Sequence, residues 1–280
     1  CIVNFQSVKN KKADILNRID EEEPVIIAGT ETWLNTDIAS AEIFPANYQV
    51  LRQDRLTSSH GGALLSLKSD LTVERIDSPN NIEAVFAKVK TQLHGPPLIV
   101  GSIYRPTNND QPYMELLNKT IIKICKSHRK SAVWLCGDLN LPDICWDQLN
   151  VKSHQYATNI SQTFLDTVIN CGMVQMVDEN TRENKILDLF LTNRPTWTTK
   201  CSTRAGISDH DIVITTNQLA AQRRKPISRK ILLWKKANIT ELRNDVSKLK
   251  DRLIEEYRQH SRLINDLWRD FVTSIKRIES

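Results

Sequence analysis

Asp138 and Asn140 stand two residues apart, directly after residues 131–136, an apolar run with the length and composition of a buried strand. Gly137 lets the backbone turn at this point, and Pro142 opposes an immediate helix. Strand ends hold polar side chains rigidly at the edge of a sheet, where they can act on a substrate. The same residues also suit a simple turn made through Asx hydrogen bonds. Taken alone, this motif leaves both interpretations open.

Three further polar residues occupy comparable places. Asn4 closes a short apolar run at the start of the chain, and Glu31 comes just past the run 25–28. Tyr104 ends the strand-like run 98–104. A solvated loop would ordinarily be the preferred account of a glutamate such as Glu31. The repetition of the pattern instead predicts that these side chains gather at one rim of a sheet.

Two more acidic residues and one histidine complete the set. Asp188 stands inside the apolar run 185–191, where an ionised carboxylate is costly unless it is paired or hydrogen-bonded. Asp209 and His210 directly precede the apolar residues 212–214. We therefore count Asp188 as a buried functional acid and Asp209 and His210 as members of the same rim.

These residue types suit the hydrolysis of phosphate esters. Carboxylates are the hard oxygen ligands that Mg²⁺ takes, and its remaining positions are filled by water and substrate phosphate. One histidine beside separate aspartates can supply a base and a group that stabilises developing negative charge. The chain contains no cysteine–histidine spacing typical of zinc, no Gly-x-Ser-x-Gly elbow and no Walker loop. A zinc enzyme, an acyl hydrolase and a nucleotide-driven enzyme therefore find little support.

Composition agrees with an ordinary globular protein. The 280 residues are 40% hydrophobic and 25% charged, which suits one large domain with an appendage. No apolar stretch approaches the roughly 20 residues that span a bilayer, so no membrane is expected as a partner. The six cysteines form no CxxC pair, which predicts free thiols in a reducing, intracellular compartment. Because the sequence starts at Cys1 rather than Met, we expect a fragment of a longer protein.

Charge is distributed unevenly along the chain. Residues 217–280 contain 16 Lys and Arg against 8 Asp and Glu, whereas the preceding residues contain 22 against 25. Residues 222–236 are predicted to be a basic linker or docking strand, and helical apolar spacing begins at Thr240. Such apolar stripes more often form the buried face of a helix than a dedicated partner helix. The basic tail suggests a segment that can meet phosphate groups.

Six motifs occur in an order that is similar to the endonuclease/exonuclease/phosphatase superfamily, which includes exonuclease III and DNase I. They are Asn4 after a strand, Glu31-Thr32-Trp33, Tyr104-Arg105-Pro106, Gly137-Asp138-Leu139-Asn140, Asp188 in Ile-Leu-Asp-Leu, and Ser208-Asp209-His210. More narrowly, they resemble the endonuclease domain of a LINE-type, non-LTR retrotransposon polyprotein. Each motif is weak alone, but the ordered set covers about residues 1–216.

The resemblance implies an α/β (α+β) fold, a four-layer αββα sandwich of two mixed β-sheets, with a C-terminal helical extension. It places a catalytic domain at 1–216, a basic linker at 217–238, and a helical extension at 239–280 that leads towards a downstream reverse transcriptase domain. Its implied activity is a Mg²⁺-dependent DNA endonuclease, with Mn²⁺ as a possible substitute. The nick would supply the 3′-hydroxyl that primes reverse transcription, and the protein would act in the nucleus on chromosomal DNA.

The resemblance also assigns roles. Glu31 would hold Mg²⁺, with Asn4 and Asp209 nearby. Asp138 would position or deprotonate the attacking water, and Asn140 would orient the phosphate.

The remaining roles concern the phosphate and the DNA backbone. Asp188 would hold the imidazole of His210, which contacts a phosphate oxygen, and Tyr104 would hydrogen-bond the scissile phosphate. Residues expected to contact DNA are Arg55, Arg105, Arg223, Arg224 and Lys225. Two other functions stay open: a superfamily phosphatase acting on an inositol or lipid phosphate, and an inactive transposon remnant that binds nucleic acid.

Overall fold

A computed structural model describes residues 1–55, 58–91, 95–108, 110–152, 155–219, 238–259 and 264–278. It separates into two compact units, Cys1–Lys225 and Pro226–Ser280. The strands, numbered in chain order, are β1 Ile2–Asn4, β2 Ile26–Thr30, β3 Tyr48–Gln53, β4 Ala63–Lys68, β5 Val73–Ile76, β6 Glu83–Val89, β7 Leu98–Tyr104, β8 Val133–Asp138, β9 Ile144–Cys145, β10 Asn150–Val151, β11 Val174–Gln175, β12 Asp188–Thr192, β13 Thr198–Arg204 and β14 Ile212–Asn217. The helices are α1 Lys12–Glu22, α2 Gln111–Ser127, α3 Thr158–Asn170, α4 Ile239–Gln259 and α5 Ile264–Ile278.

The first unit contains two six-stranded mixed sheets. The order in the first sheet is β13-β14-β1-β2-β4-β3, with β1 and β2 parallel. The order in the second sheet is β11-β12-β8-β7-β6-β5, with β7 and β8 parallel. A small hairpin of β9 and β10 stands apart from both. The sequence missed β13, because its polar residues carry no apolar run.

Three apolar cores make the sandwich four layers deep. Between the sheets, side chains such as Leu65 and Val100 pack together in one continuous cluster. The outer face of the second sheet packs on α2 and α3, whose apolar stripe includes Phe164. The outer face of the first sheet packs on α1 through Ile15 and Ile19. Burial of this surface is the main stabilising contribution, and the αββα sandwich is confirmed.

Polar residues at the ends of several strands lie at one rim of the two sheets. Asn4 ends β1, Tyr104 ends β7 and Asp138 ends β8, while Glu31 directly follows β2. Asp188 begins β12 rather than lying inside a strand, and antiparallel pairing sets it opposite Asp138. Gly137 has a φ of 124°, and a Cβ there would lie 2.2 Å from the backbone oxygen of Ile103. This close approach of two strands beneath the rim therefore requires glycine.

The second unit is a pair of helices. Both helices that the apolar spacing predicted are present, as α4 and α5. Trp268 and Phe271 stack at 5.5 Å between ring centroids, and Arg252 donates a hydrogen bond to Ser274 at 3.0 Å. Among the described residues, no helix has the length and apolar character needed to cross a bilayer.

The first unit extends past the predicted boundary at residue 216. Asn217 is the last residue of β14, and its side chain accepts a hydrogen bond from the hydroxyl of Thr198 at 2.8 Å. The backbone amide of Gln218 then donates to the backbone oxygen of Trp197 at 2.7 Å. These contacts attach residues 217 and 218 to the sandwich rather than to a linker.

Candidate active site

A buried carboxylate–imidazole pair lies at the centre of the rim. Oδ2 of Asp188 lies 2.6 Å from Nδ1 of His210, and both side chains are almost completely buried. The backbone amide of Asp188 donates to Oγ1 of Thr181 at 3.1 Å, and that of His210 donates to Oγ of Ser208 at 3.2 Å. The imidazole is thus fixed through Nδ1, which leaves Nε2 as the ring nitrogen for a substrate. This is the contact between Asp188 and His210 that the resemblance implied.

Asp138 belongs to a second set of contacts beside the first. Nδ2 of Asn4 donates to Oδ2 of Asp138 at 2.9 Å and to Oε1 of Glu31 at 3.3 Å. Oδ1 of Asp138 accepts from the backbone amide of Asn140 at 3.0 Å. The indole of Trp33 donates to Oε2 of Glu31 at 3.3 Å. The amide of Asn4 therefore links the two carboxylates and fixes their separation.

Asn140 and Arg105 hold each other in place. Nδ2 of Asn140 donates to the backbone oxygen of Arg105, and Nη1 of Arg105 donates to the backbone oxygen of Asn140, both at 2.9 Å. The guanidinium of Arg105 also lies 4.5 Å from the ring centroid of Tyr156. Asn140 itself has a φ of 46°, a conformation that asparagine tolerates better than most residues.

The prediction that Arg105 contacts the DNA backbone is wrong. Its residue exposure is 1%, and Nη2 donates to the backbone oxygen of Asn108 at 2.5 Å. A buried cation is costly unless it is paired or hydrogen-bonded, and the chain uses this one to fix the loop after β8. The sequence could not reveal this, because Asn140 and Tyr156 lie on segments distant along the chain.

The side chains of Tyr104 and Arg55 lie against each other. The guanidinium carbon of Arg55 is 5.7 Å from the ring centroid of Tyr104. Burial, followed by the charges of Glu31 and Asp138, raises the pKa of the Tyr104 hydroxyl far above its ordinary value. That hydroxyl therefore remains protonated and can donate a hydrogen bond. Arg55 is paired with Glu83 and keeps about a quarter of its side chain exposed, 23%.

Asp209 stands apart from the other acidic residues. Its carboxylate is 42% exposed and lies 2.6 Å from Nη2 of Arg182. A role beside a metal, which the sequence predicted, would require Asp209 to share or release this partner. The predicted DNA contacts Arg223, Arg224 and Lys225 lie outside the described residues.

The electrostatics of the rim suit a cation. Ligand atoms of Asp138, Asp188 and His210 lie within 4.8 Å of one another, a group that could hold a metal ion. Oδ1 of Asp188 is buried and has no hydrogen-bond partner. Burial first, and then the charge of Asp188, raises the pKa of Asp138 well above its ordinary value, while His210 opposes the shift.

The pKa of His210 is affected by the same nearby carboxylates. Burial alone would lower the pKa of His210, but the hydrogen bond and charge of Asp188 outweigh it, with help from Asp138 and Asp209. The pKa of His210 is therefore raised. The charge of one imidazole does not fully balance the negative charge of these carboxylates. Carboxylate oxygens are ligands that Mg²⁺ and Mn²⁺ prefer.

Sequence reasoning missed several residues that position the site. Oγ of Ser208 donates to the backbone oxygen of Asn4 at 2.7 Å, and Oγ1 of Thr181 accepts the amides of Leu187 and Asp188. The carboxylate of Asp143 accepts the amides of Gln155 and Tyr156. Ser208 lies within a motif that the sequence did single out. Glu83 and Thr181 carried no such signal.

The two mixed sheets, packed face to face, form an α/β sandwich like that of the endonuclease/exonuclease/phosphatase proteins. Residues 98–214 match the model of the endonuclease-reverse transcriptase family. The match agrees with the resemblance that the ordered motifs indicated. No curated protein matches the chain.

Solved structures agree on the fold. The endonuclease domain of TRAS1, a telomere-specific non-LTR retrotransposon, is 13% identical with a TM-score of 0.59, over 78% of this chain and 97% of that one. The catalytic domain of APE2 from Xenopus laevis is 14% identical with a TM-score of 0.60, over 80% and 93%. A 3′ phosphatase, NExo, from Neisseria bound to a product DNA hairpin is 13% identical with a TM-score of 0.58, over 77% and 97%.

Proposed function

We propose that this chain is a Mg²⁺-dependent DNA endonuclease that nicks target DNA and thereby supplies a 3′-hydroxyl primer for the reverse transcription of a retrotransposon. The observation that carries the proposal is the buried Asp188–His210 pair beside the linked carboxylates of Asp138 and Glu31. The family match supports the retrotransposon context, and the DNA hairpin bound to the Neisseria relative supports DNA as the substrate.

Hydrolysis of a phosphodiester needs a group that takes a proton from the attacking water. Asp138 is the candidate, because the amides of Asn4 and Asn140 each occupy one of its carboxylate oxygens and fix its direction. Asn140, held in turn by Arg105, would orient the phosphate. A fixed direction matters because small misplacements of a catalytic group cost large factors in rate.

The phosphate oxygens need donors that face developing negative charge. His210 offers Nε2 while Asp188 holds its Nδ1, and Tyr104 offers a hydroxyl that burial keeps protonated. A bound Mg²⁺ or Mn²⁺ would supply Lewis-acid stabilisation of that charge. Glu31 would hold the ion, with Asn4 and Asp209 beside it, next to the Asp138, Asp188 and His210 group.

The remaining parts of the proposal concern partners and organisation. The catalytic domain would span 1–216 with the short continuation at residues 217 and 218, followed by a basic linker and the helical extension 239–280. A downstream reverse transcriptase domain of the same polyprotein would be the protein partner, and the nucleus would be the place of action on chromosomal DNA. Arg55 and the basic run Arg223, Arg224 and Lys225 would contact the DNA backbone.

A plasmid-nicking assay tests the proposal when it is run with Mg²⁺, with Mn²⁺ and with a chelator. A parallel assay for phosphate release from phosphoinositides separates the phosphatase alternative. Nicked circles that appear only with a divalent cation, and end in a ligatable 3′-hydroxyl, are expected. Phosphate release without nicking would favour the phosphatase, and DNA binding without either reaction would indicate an inactive remnant.

A further inference from the structure

Glu83 is a buried acid outside the six motifs, and its carboxylate is fully engaged. It is 8% exposed and begins β6. Oε1 accepts from Nε of Arg55 at 2.8 Å and also from Nη2 of the same guanidinium. Oε2 accepts from the backbone amide of Gly62 at 2.5 Å. One side chain therefore joins β6 to the end of β3 and to the start of β4.

The same residue is coupled to Tyr104 in three ways. Glu83 and Tyr104 are directly opposite in the β6–β7 ladder. The backbone amide of Glu83 donates to the hydroxyl of Tyr113 at 3.1 Å, and that hydroxyl donates to the backbone oxygen of Tyr104 at 2.7 Å. The guanidinium that Glu83 holds lies over the Tyr104 ring. The ring of Tyr104 is thus bounded by groups that Glu83 fixes.

The loop between β3 and β4 depends on glycine for this contact. Gly61 and Gly62 have φ values of 94° and 89°, which disfavour residues with a Cβ. A Cβ on Gly61 would lie 2.4 Å from Oε2 of Glu83. The backbone oxygen of Gly61 accepts the amide of Trp33, whose indole donates to Glu31. The carboxylate of Glu83 therefore approaches the loop that also supports the predicted metal ligand.

We propose that Glu83 is a positioning residue of the active site, which holds the Arg55 guanidinium against the ring of Tyr104 and keeps that tyrosine in one place beside Glu31 and Asp138. The inference rests on the proposed function, because Tyr104 matters here as a donor to the scissile phosphate. Glu83 also neutralises the charge of Arg55, so the arginine contributes less attraction to DNA than an unpaired arginine would. Glu83 therefore favours the chemical step at the expense of binding.

This arrangement predicts a split between rate and affinity. In Glu83→Gln the side chain keeps its size and an acceptor oxygen but loses its charge. The single-turnover nicking rate should fall roughly 10- to 100-fold, as expected when a reacting group is less well placed. The Kd for duplex DNA should fall roughly threefold, the Coulomb effect of removing one negative charge about 6 Å from a phosphate in water. A residue with only a structural role would not lower the rate while tightening binding.

Two comparisons sharpen the test. Glu74→Gln is the matched control, because Glu74 forms an exposed ion pair with Lys88 at 3.2 Å in the same sheet, away from Tyr104, and should change neither value. In a Tyr104→Phe background, Glu83→Gln should add little further loss, because its effect passes through Tyr104. Fully multiplicative losses, or an unchanged rate in Glu83→Gln, would overturn the inference.

A readout independent of cleavage distinguishes this inference from the proposed function. The Nε–H of Arg55 should give an NMR signal protected from solvent exchange, assigned by its loss in Arg55→Lys. The protection should disappear in Glu83→Ala and persist in Glu74→Gln. Absence of nicking by the parental protein would defeat the proposed function, whereas unchanged protection in a folded Glu83→Ala protein would defeat the positioning role.

Discussion

In the unit Cys1–Lys225 even the polar residues of the candidate site are buried, whereas in Pro226–Ser280 large apolar side chains face solvent. Asp138 and Asp188 are 0% exposed, while Tyr257 and Trp268 are 63% and 64% exposed. Buried polar groups must find partners, so the acids of the first unit depend on residues from several strands. The two helices of the second unit pack on each other. The contrast implies that changes in the sandwich propagate to the site and that changes in the helix pair remain local.

The largest expected effect in the sandwich is at Glu31, the predicted metal ligand. Glu31→Gln should reduce Mg²⁺-dependent nicking to background, because a cation loses its charged ligand while the side chain keeps its size. The assay is plasmid nicking over a range of Mg²⁺ concentrations. Glu23→Gln is the matched control, an exposed glutamate at the end of α1 that shares the left-handed backbone, with a φ of 42° against 48°. Nicking at the parental rate in low Mg²⁺ would remove Glu31 from the metal site.

The next effect concerns the buried pair. His210→Ala should lower the single-turnover rate by about 10²–10⁴, the range expected for one acid/base or electrostatic group. Asp188→Asn should cost less, because it acts through the hydrogen bond to the imidazole. The double variant should therefore be close to His210→Ala alone. If the two losses multiply, Asp188 does not serve His210.

A core substitution tests whether the sandwich behaves as one cooperative unit. Phe164 is 0% exposed in the cluster between α3 and the second sheet. Phe164→Ala should lower the free energy of unfolding by about 3–5 kcal/mol, through lost burial and the cavity that remains. Denaturant unfolding followed by tryptophan fluorescence measures the change. A loss below about 1 kcal/mol would show that this part of the sandwich relaxes independently.

The corresponding substitution in the helix pair should destabilise only that pair of helices. Leu249 is 6% exposed and is the buried apolar residue of α4. Leu249→Ala should destabilise the helix pair by about 2 kcal/mol, at the low end for leucine truncations. Protease sensitivity of residues 238–278 should increase while the melting temperature of the sandwich is unchanged. A lowered sandwich melting temperature would contradict the contrast between the two units.

The smallest expected effect is on DNA affinity. The variant for this test lacks residues 220–280. The deletion starts directly after the last described residue of the sandwich and removes 16 Lys and Arg against 8 Asp and Glu. The nicking rate at saturating DNA should be unchanged, whereas affinity should fall and its salt dependence should become shallower. Each lost phosphate contact reduces the log–log slope by about 0.9. Binding measured from about 50 to 200 mM salt decides this. Equal affinity and slope would leave the tail as a linker only.

The sequence predicted much of the fold because strands, helices and turns leave local patterns. The runs 25–28, 98–104 and 131–136 were identified correctly as the strands β2, β7 and β8, and the ordered motifs indicated the sandwich. The polar edge strand β13 was missed, because it has little apolar burial and hence no periodic signal. The site residues could be proposed in the same way, since each interrupts or ends an apolar run.

Sequence alone determined which residue types stand at strand ends, because that depends only on neighbours along the chain. Tertiary structure decided what each of them contacts. Register placed Asp188 opposite Asp138, long-range packing buried Arg105 beneath Asn140, and Glu83 met Arg55 across 28 positions of sequence. Such contacts arise when separate strands are brought together by burying a shared core. The contacts among the side chains at the rim follow from that burial, and no local pattern encodes those contacts.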